Sequence, residues 1–189
     1  MTDLMRYAAE LEGAGDGSLP PVDKWNPEIS GDIDLVIKRD GTWMHEGTPI
    51  RRARLVRLFS TVLKREGDRH FLVTPVEKLE IKVEDAPFIA VLMKREGEGK
   101  NQTLTFTTNV GDEVTAGRGH ALEFHKDPET GEGAPYIHIR RGLEARVARS
   151  VFYDLVPLCE TREIEGEEQF GVWSGGEFFS FRAAEDVFE

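Results

Sequence analysis

The sequence predicts an α+β protein of two like halves, each with antiparallel strands packed on one helix in the order strand, strand, helix, strand, strand. Three observations carry that expectation. First, the stretch 43–63 (WMHEGTPIRRARLVRLFSTVL) returns at 136–156 (YIHIRRGLEARVARSVFYDLV) without a gap, at a constant offset of 93 that sets Trp43 on Tyr136 and His45 on His138. Second, Leu55, Leu58, Phe59, Val62 and Leu63 have the spacing of one helix face, and Ala148, Val151, Phe152, Leu155 and Val156 repeat it. Third, the run Phe71 to Val83 aligns without a gap on Phe170 to Arg182, so each half closes on a similar hairpin.

The elements follow in order. Residues 1–19 read as a short N-terminal helix (Leu4, Met5, Ala8 and Leu11 on one face of 3–12) and a linker of glycine and acidic residues (EGAGDGS). The first half is expected to span 20–90 and the second 91–189. Leu19 to Ser30 reads as extended because three prolines fix φ, with Trp25 as its anchor. Ile33, Leu35 and Ile37 alternate as a half-buried strand, Asp40-Gly41 is a hairpin turn, and Thr42 to His45 returns. Thr48-Pro49 reads as the start of a helix ending before Gly67, and His70 to Pro75 with Lys78 to Val83 as a hairpin. Phe88 to Lys94 and Gln102 to Thr108 add a strand pair. Ala121 to Lys126 and Pro135 to Arg140 then flank the turn Asp127 to Gly133, a helix runs from Leu143 to before Pro157, and a last hairpin turns at Gly175-Gly176.

Composition limits the function. Of 189 residues, 24 are Lys or Arg and 35 Asp or Glu, and a formal net charge of −11 argues against a general nucleic-acid or anionic-membrane binder. The single cysteine, Cys159, forbids an internal disulfide, and no apolar run is long enough for a signal peptide or a bilayer span. A cytoplasmic protein is expected.

Several motifs are similar to a bacterial domain-of-unknown-function family, number twelve eighty-five. They include Pro20-Pro21-Val22 with Lys24-Trp25-Asn26-Pro27, Asp40-Gly41-Thr42-Trp43, Pro49-Ile50-Arg51-Arg52 and Thr74-Pro75-Val76-Glu77-Lys78. In the second half they include Thr108-Asn109, Tyr136 with Arg140, Leu143-Glu144-Ala145-Arg146, and Trp173-Ser174 with Gly176. The resemblance implies a duplicated α+β core whose second half is like a pleckstrin-homology fold. It also implies a nucleotide-like ligand between the halves and a link to signal transduction.

Strand parity selects the candidate site. Trp43 and His45 share one strand face, as do Tyr136, His138 and Arg140. Arg51 and Arg52 stand at the entry of the first helix, and Arg146 is expected on the second, three residues before Arg149. An aromatic face beside guanidinium groups suits a small anion with an aromatic part, such as a nucleotide, with Arg52 and Arg140 on the phosphate and Trp43 or Tyr136 on the base. The plain alternative is a solvated strand face with aromatics packed under loops and arginines paired to carboxylates.

No metal or cofactor is expected. Glu84-Asp85 point to opposite faces of a strand, as do His120 and His125, while Glu123 and His125 share the solvated face. No nucleophile elbow, Walker loop or dinucleotide fingerprint is present, and Cys159 precedes an acidic stretch that does not activate a thiol. A binding or regulatory module is therefore expected rather than an enzyme. The rivals are a nucleotide hydrolase or transferase with His45 or His138 as general base, and a protein-interaction module using the N-terminal helix or a strand edge.

Overall fold

The computed structural model describes residues 8–9, 19–126, 131 and 133–183. The helix expected over 3–12 lies outside them apart from Ala8 and Ala9, which are helical, and the turn 127–133 lies mostly outside them. The chain forms two compact units, one of Met1–Pro87 with Arg141–Leu143, the other of Phe88–Arg140 with Glu144–Glu189.

The first unit opens with a single 3-10 turn, Val22–Lys24, where an extended chain was expected. Val22 is fully buried and anchors this segment, while Trp25 is half-buried. Strand β1 (Ile29–Ile37) turns at Asp40-Gly41 into β2 (Trp43–His45). The Asp40 carboxylate accepts the Thr42 amide at 2.9 Å, and Gly41 takes φ 85°. Glu46 and Gly47 both have positive φ, which makes a second tight reversal into β3 (Thr48–Pro49). Thr48 and Pro49 thus pair with His45 and Met44 rather than starting the helix.

Helix α1 (Ala53–Thr61) begins at an N-cap, Arg52, with no capping side chain. It also stops earlier than its apolar pattern suggests. The Ser60 and Thr61 hydroxyls donate to the carbonyls of Arg57 and Leu58, each at 2.6 Å, and this local competition tightens the last turn. Leu63 therefore starts β4 (Leu63–Glu66), which pairs with β5 (Arg69–Val73). The turn after β5 is closed by the Thr74 hydroxyl, which accepts the Glu77 amide at 3.0 Å, and leads into β6 (Lys78–Val83). The sheet order is β3-β2-β1-β6-β5-β4, with β1 and β6 parallel and the other neighbours antiparallel.

The second unit contains β7 (Phe88–Glu96), β8 (Thr103–Thr108), β9 (Glu113–Thr115), β10 (Leu122–Lys126), β11 (Gly133–Arg140) and β12 (Leu143–Val147). Their order is β10-β11-β12-β7-β8-β9, again with the first and sixth strands parallel at the centre. The two halves are therefore alike, each a six-stranded sheet with one helix, but the repeat follows β1–β6 onto β7–β12. The constant offset of 93 does not describe it. Trp43 lies on the second strand of its unit and Tyr136 on the fifth of its own. Helix α1 sits between the third and fourth strands, whereas α2 (Arg149–Leu155) follows the sixth.

The largest departure is LEARV at 143–147. Its residues favour helix, yet it is a strand with Leu143, Ala145 and Val147 buried and Glu144 and Arg146 half-buried. Period-two burial beside β7 outweighs intrinsic propensity here. Arg146 is consequently a strand residue and shares no helix face with Arg149. A third sheet, β13 (Glu160–Ile164), β14 (Glu167–Ser174) and β15 (Glu177–Ala183), packs on the second through Phe124, whose ring lies 5.7 Å from that of Phe181. The acidic stretch after Cys159 is the edge strand β13, where Glu160 and Glu163 are exposed and Arg162 lies half-buried over the Trp173 and Phe178 rings. Among the described residues no helix is long and apolar enough to cross a membrane.

Candidate functional site

The residues singled out by parity do share faces, but the aromatics do not face solvent. Trp43 is 1% exposed and stacks on Phe59 of α1 at 6.5 Å, with its Nε1 buried and without a hydrogen-bond partner. Its cross-strand partner Ile37 and His45's partner Leu35 are equally buried, so the face carrying Trp43 and His45 is the one the helix covers. His45 is half-buried at the margin of that face. Tyr136 is 5% exposed, with its ring 5.2 Å from that of His125. Neither aromatic can take a base in this packing. The stacking role gives way to a core role: Trp43 is packed under α1, and Tyr136 is buried beside His125.

The cations are spread out. Arg51 and Arg52 are exposed before α1. Arg140 is paired with Asp112 at 2.6 Å and lies over the Phe88 ring at 5.0 Å, so its charge is already answered. The backbone carbonyl of Gly119 accepts a hydrogen bond from Nδ1 of His138 at 2.9 Å, and His120 Nδ1 donates to the His138 carbonyl at 3.0 Å. Both rings are thereby oriented by backbone. Arg146 is half-buried on β12.

Two other clusters assemble. On the first unit, the β1–β6 ladder shifts register between Asp32 and Val36, so that three residues of β1 face one of β6. A groove of about 540 Å³ lies beside this bulge, lined by β1, β6 and the start of β5. Four carboxylates line it (Asp32, Asp34, Asp68 and Glu80) against two cations, Arg69 and Lys82. Arg69 is engaged by Glu80 through both carboxylate oxygens, one of them at 2.8 Å, and this pairing lowers the pKa of Glu80. His70 also lines the groove; burial, reinforced by the Arg65 charge, pushes its pKa down to about 4, so it is neutral at pH 7. Ile33, Val36 and Ile81 supply an apolar wall. The alternation DIDLVI put Asp32 and Asp34 on one face, but the register shift that makes a groove beside them has no local signal.

On the second unit, Nε2 of His125 lies 3.3 Å from Glu123 and 3.7 Å from Glu144. The three ligand atoms are all within 4.8 Å of one another, and this set could hold a metal ion. Parity placed Glu123 and His125 together, as observed. Glu144 is beyond the reach of local parity, because the helix-favouring residues of 143–147 conceal its strand.

The model for the family described as "Domain of unknown function (DUF1285), N-terminal domain" matches residues 20–86, and its C-terminal counterpart matches 87–181. The chain belongs to the DUF1285 family. The crystal structure of a DUF1285 protein from Silicibacter pomeroyi is 49% identical, with a TM-score of 0.87 over 98% of each chain. One from Shewanella baltica is 27% identical, with a TM-score of 0.50 over 65% of this chain and 90% of that one. No curated protein matches.

In this DUF1285 protein several motif residues hold the fold. Ser174 is fully buried, donates to the Ala116 carbonyl at 2.7 Å and accepts the Leu104 amide at 2.9 Å. Gln102 donates to the Trp173 carbonyl and accepts the Gly175 amide, so the β14–β15 turn is stitched to β8. Arg141 ties Pro20 to the first unit by donating to its carbonyl at 2.6 Å. Lys78, the first residue of β6, is only 6% exposed and is held by both oxygens of Glu66, at 3.1 and 3.0 Å. Cys159 donates to the Leu155 carbonyl, and burial pushes its thiol up to about 12.

Proposed function

We propose that this DUF1285 protein is a binding module rather than an enzyme, and that its ligand is a small amine or guanidine seated in the groove between β1 and β6. The observation that carries the reading is the four-to-two excess of carboxylates over cations in a groove whose histidine is neutral. A volume of about 540 Å³ is within the range of small-molecule sites, roughly 300–1,000 Å³. A net charge of −11 attracts cations to the whole surface, and the groove adds apolar contact for an alkyl stem. Catalysis finds less support. The Ser174 hydroxyl is sealed by two backbone bonds, and the Cys159 thiol is protonated at neutral pH.

Thermal-shift titration with agmatine and spermidine, beside a panel of mono-, di- and cyclic nucleotides, tests the proposal. At a hundred times its dissociation constant a ligand stabilises by about 2.7 kcal/mol, or roughly 5–10 °C for a chain of this size. Asp32→Asn with Asp34→Asn should weaken agmatine binding at least tenfold, whereas Glu163→Gln on the exposed β13 should not. Equal effects of the two changes would reduce the binding to surface charge and sink the proposal. A nucleotide shift that disappears in Arg51→Ala with Arg52→Ala would replace it with the anionic-ligand reading.

A further inference from the structure

The geometry points to a divalent transition-metal site on the second unit, held by Glu123 and His125 of β10 and Glu144 of β12. We propose Zn²⁺ as the ion it prefers. A tetrahedral ion with bonds near 2.1 Å requires ligand atoms about 3.4 Å apart. The two edges at His125 Nε2 are 3.3 and 3.7 Å, each within a few tenths of an ångström of that value, and all three ligand atoms lie within 4.8 Å of one another.

The donors come from rigid elements that are distant in sequence. Glu123 and His125 are two apart on one strand and therefore share a face, and Glu123 is directly opposite Tyr136. The buried Tyr136 ring backs the imidazole at 5.2 Å, which restricts its rotation. Glu144 is supplied by β12, whose strand character the helix-favouring sequence conceals. Side-chain exposures of 57%, 44% and 26% leave a route from solvent and a fourth position for water. One imidazole nitrogen with two carboxylate oxygens favours zinc over Mg²⁺ or Ca²⁺, which demand oxygen throughout.

A rival account has the His125 ring simply hydrogen-bonded between the two carboxylates, with no metal. Calorimetric titration of Zn²⁺ into the full chain, first stripped with chelator, separates the two. We expect one site, weakened at least tenfold by Glu144→Gln and by His125→Ala, and unchanged by Glu163→Gln. If His125→Ala disturbs the far-ultraviolet circular dichroism, His125→Gln and Glu123→Gln serve in its place. A zinc-soaked crystal should give an anomalous peak about 2.0–2.2 Å from His125 Nε2 and the two carboxylates. Binding that survives both ligand changes, or that is lost with His120→Ala or Cys159→Ala instead, overturns the site. So does tighter binding of Ca²⁺ than of Zn²⁺.

Discussion

Replacing Ser174 by alanine should be among the costliest single-atom deletions in the second unit. The hydroxyl is 0% exposed and satisfies two backbone groups, the Leu104 amide at 2.9 Å and the Ala116 carbonyl at 2.7 Å. Leu104 and Ala116 are themselves fully buried, so water cannot replace the lost oxygen without a local opening. Leaving a buried polar group unpaired costs about 1–3 kcal/mol, so two groups released together should cost about 2–6 kcal/mol. At roughly 2–4 °C per kcal/mol, the melting temperature should fall by about 4–24 °C. Calorimetry on the full chain measures this, with the adjoining turn as an internal comparison. Gly175 has φ 60°, and an added Cβ would lie 3.0 Å from the Ala116 carbonyl oxygen; Gly176 has φ 80° with nothing within 4 Å. Both alanine variants meet the left-handed penalty of about 1–2 kcal/mol, but only Gly175→Ala meets the crowded backbone as well. Ser174→Ala within about 0.5 kcal/mol of the parent, the usual range for surface changes, would refute this reasoning. So would equal costs at Gly175 and Gly176.

Two further outcomes rest on perturbed groups. His70 has a folded pKa pushed down to about 4 from 6.5, chiefly by burial. Between those values the unfolded chain binds the extra proton, so the stabilisation is complete above 6.5 and is lost as pH falls towards 4. The loss should reach about 3 kcal/mol, and urea unfolding at pH 7 and pH 4 should show it in the parent and not in His70→Gln; parallel losses in both would contradict it. Cys159, with its thiol raised to about 12, should resist Ellman's reagent at pH 7.5 while folded and react on unfolding. Rapid labelling of the folded chain would mean that its packing against the Leu155 carbonyl opens readily.

The duplication preserves a fold and does not repeat a site. Both sheets place their first and sixth strands side by side in parallel, yet among the described pairs only the first ladder shifts register. There β1 and β6 shift register between Asp32 and Val36, whereas β12 and β7 pair regularly from Ala145–Phe88 to Val147–Ala90. The bulge that borders the groove proposed for the first unit is thus not repeated in the described β12–β7 pairing. The proposed metal ligands instead lie on the fourth and sixth strands of the second sheet.

Features governed by neighbours in the chain were legible. The Asp40-Gly41 turn, the apolar stripe of α1, the hairpin closed by Thr74 and the shared face of Glu123 and His125 all follow from local geometry or side-chain period. So do the α+β class and the presence of two like halves. What needed the folded chain was pairing between distant segments. Burial against β7 turned LEARV from helix into strand, and the parallel partnership of first and sixth strands, not a gapless offset, defined the repeat. Parity could place Trp43 and His45 on one face but could not say that α1 would cover it. The groove and the Glu123–His125–Glu144 cluster have the same origin. Strand register and strand order are settled by where apolar side chains find partners across the sheet, and no window of the sequence contains both members of those pairs.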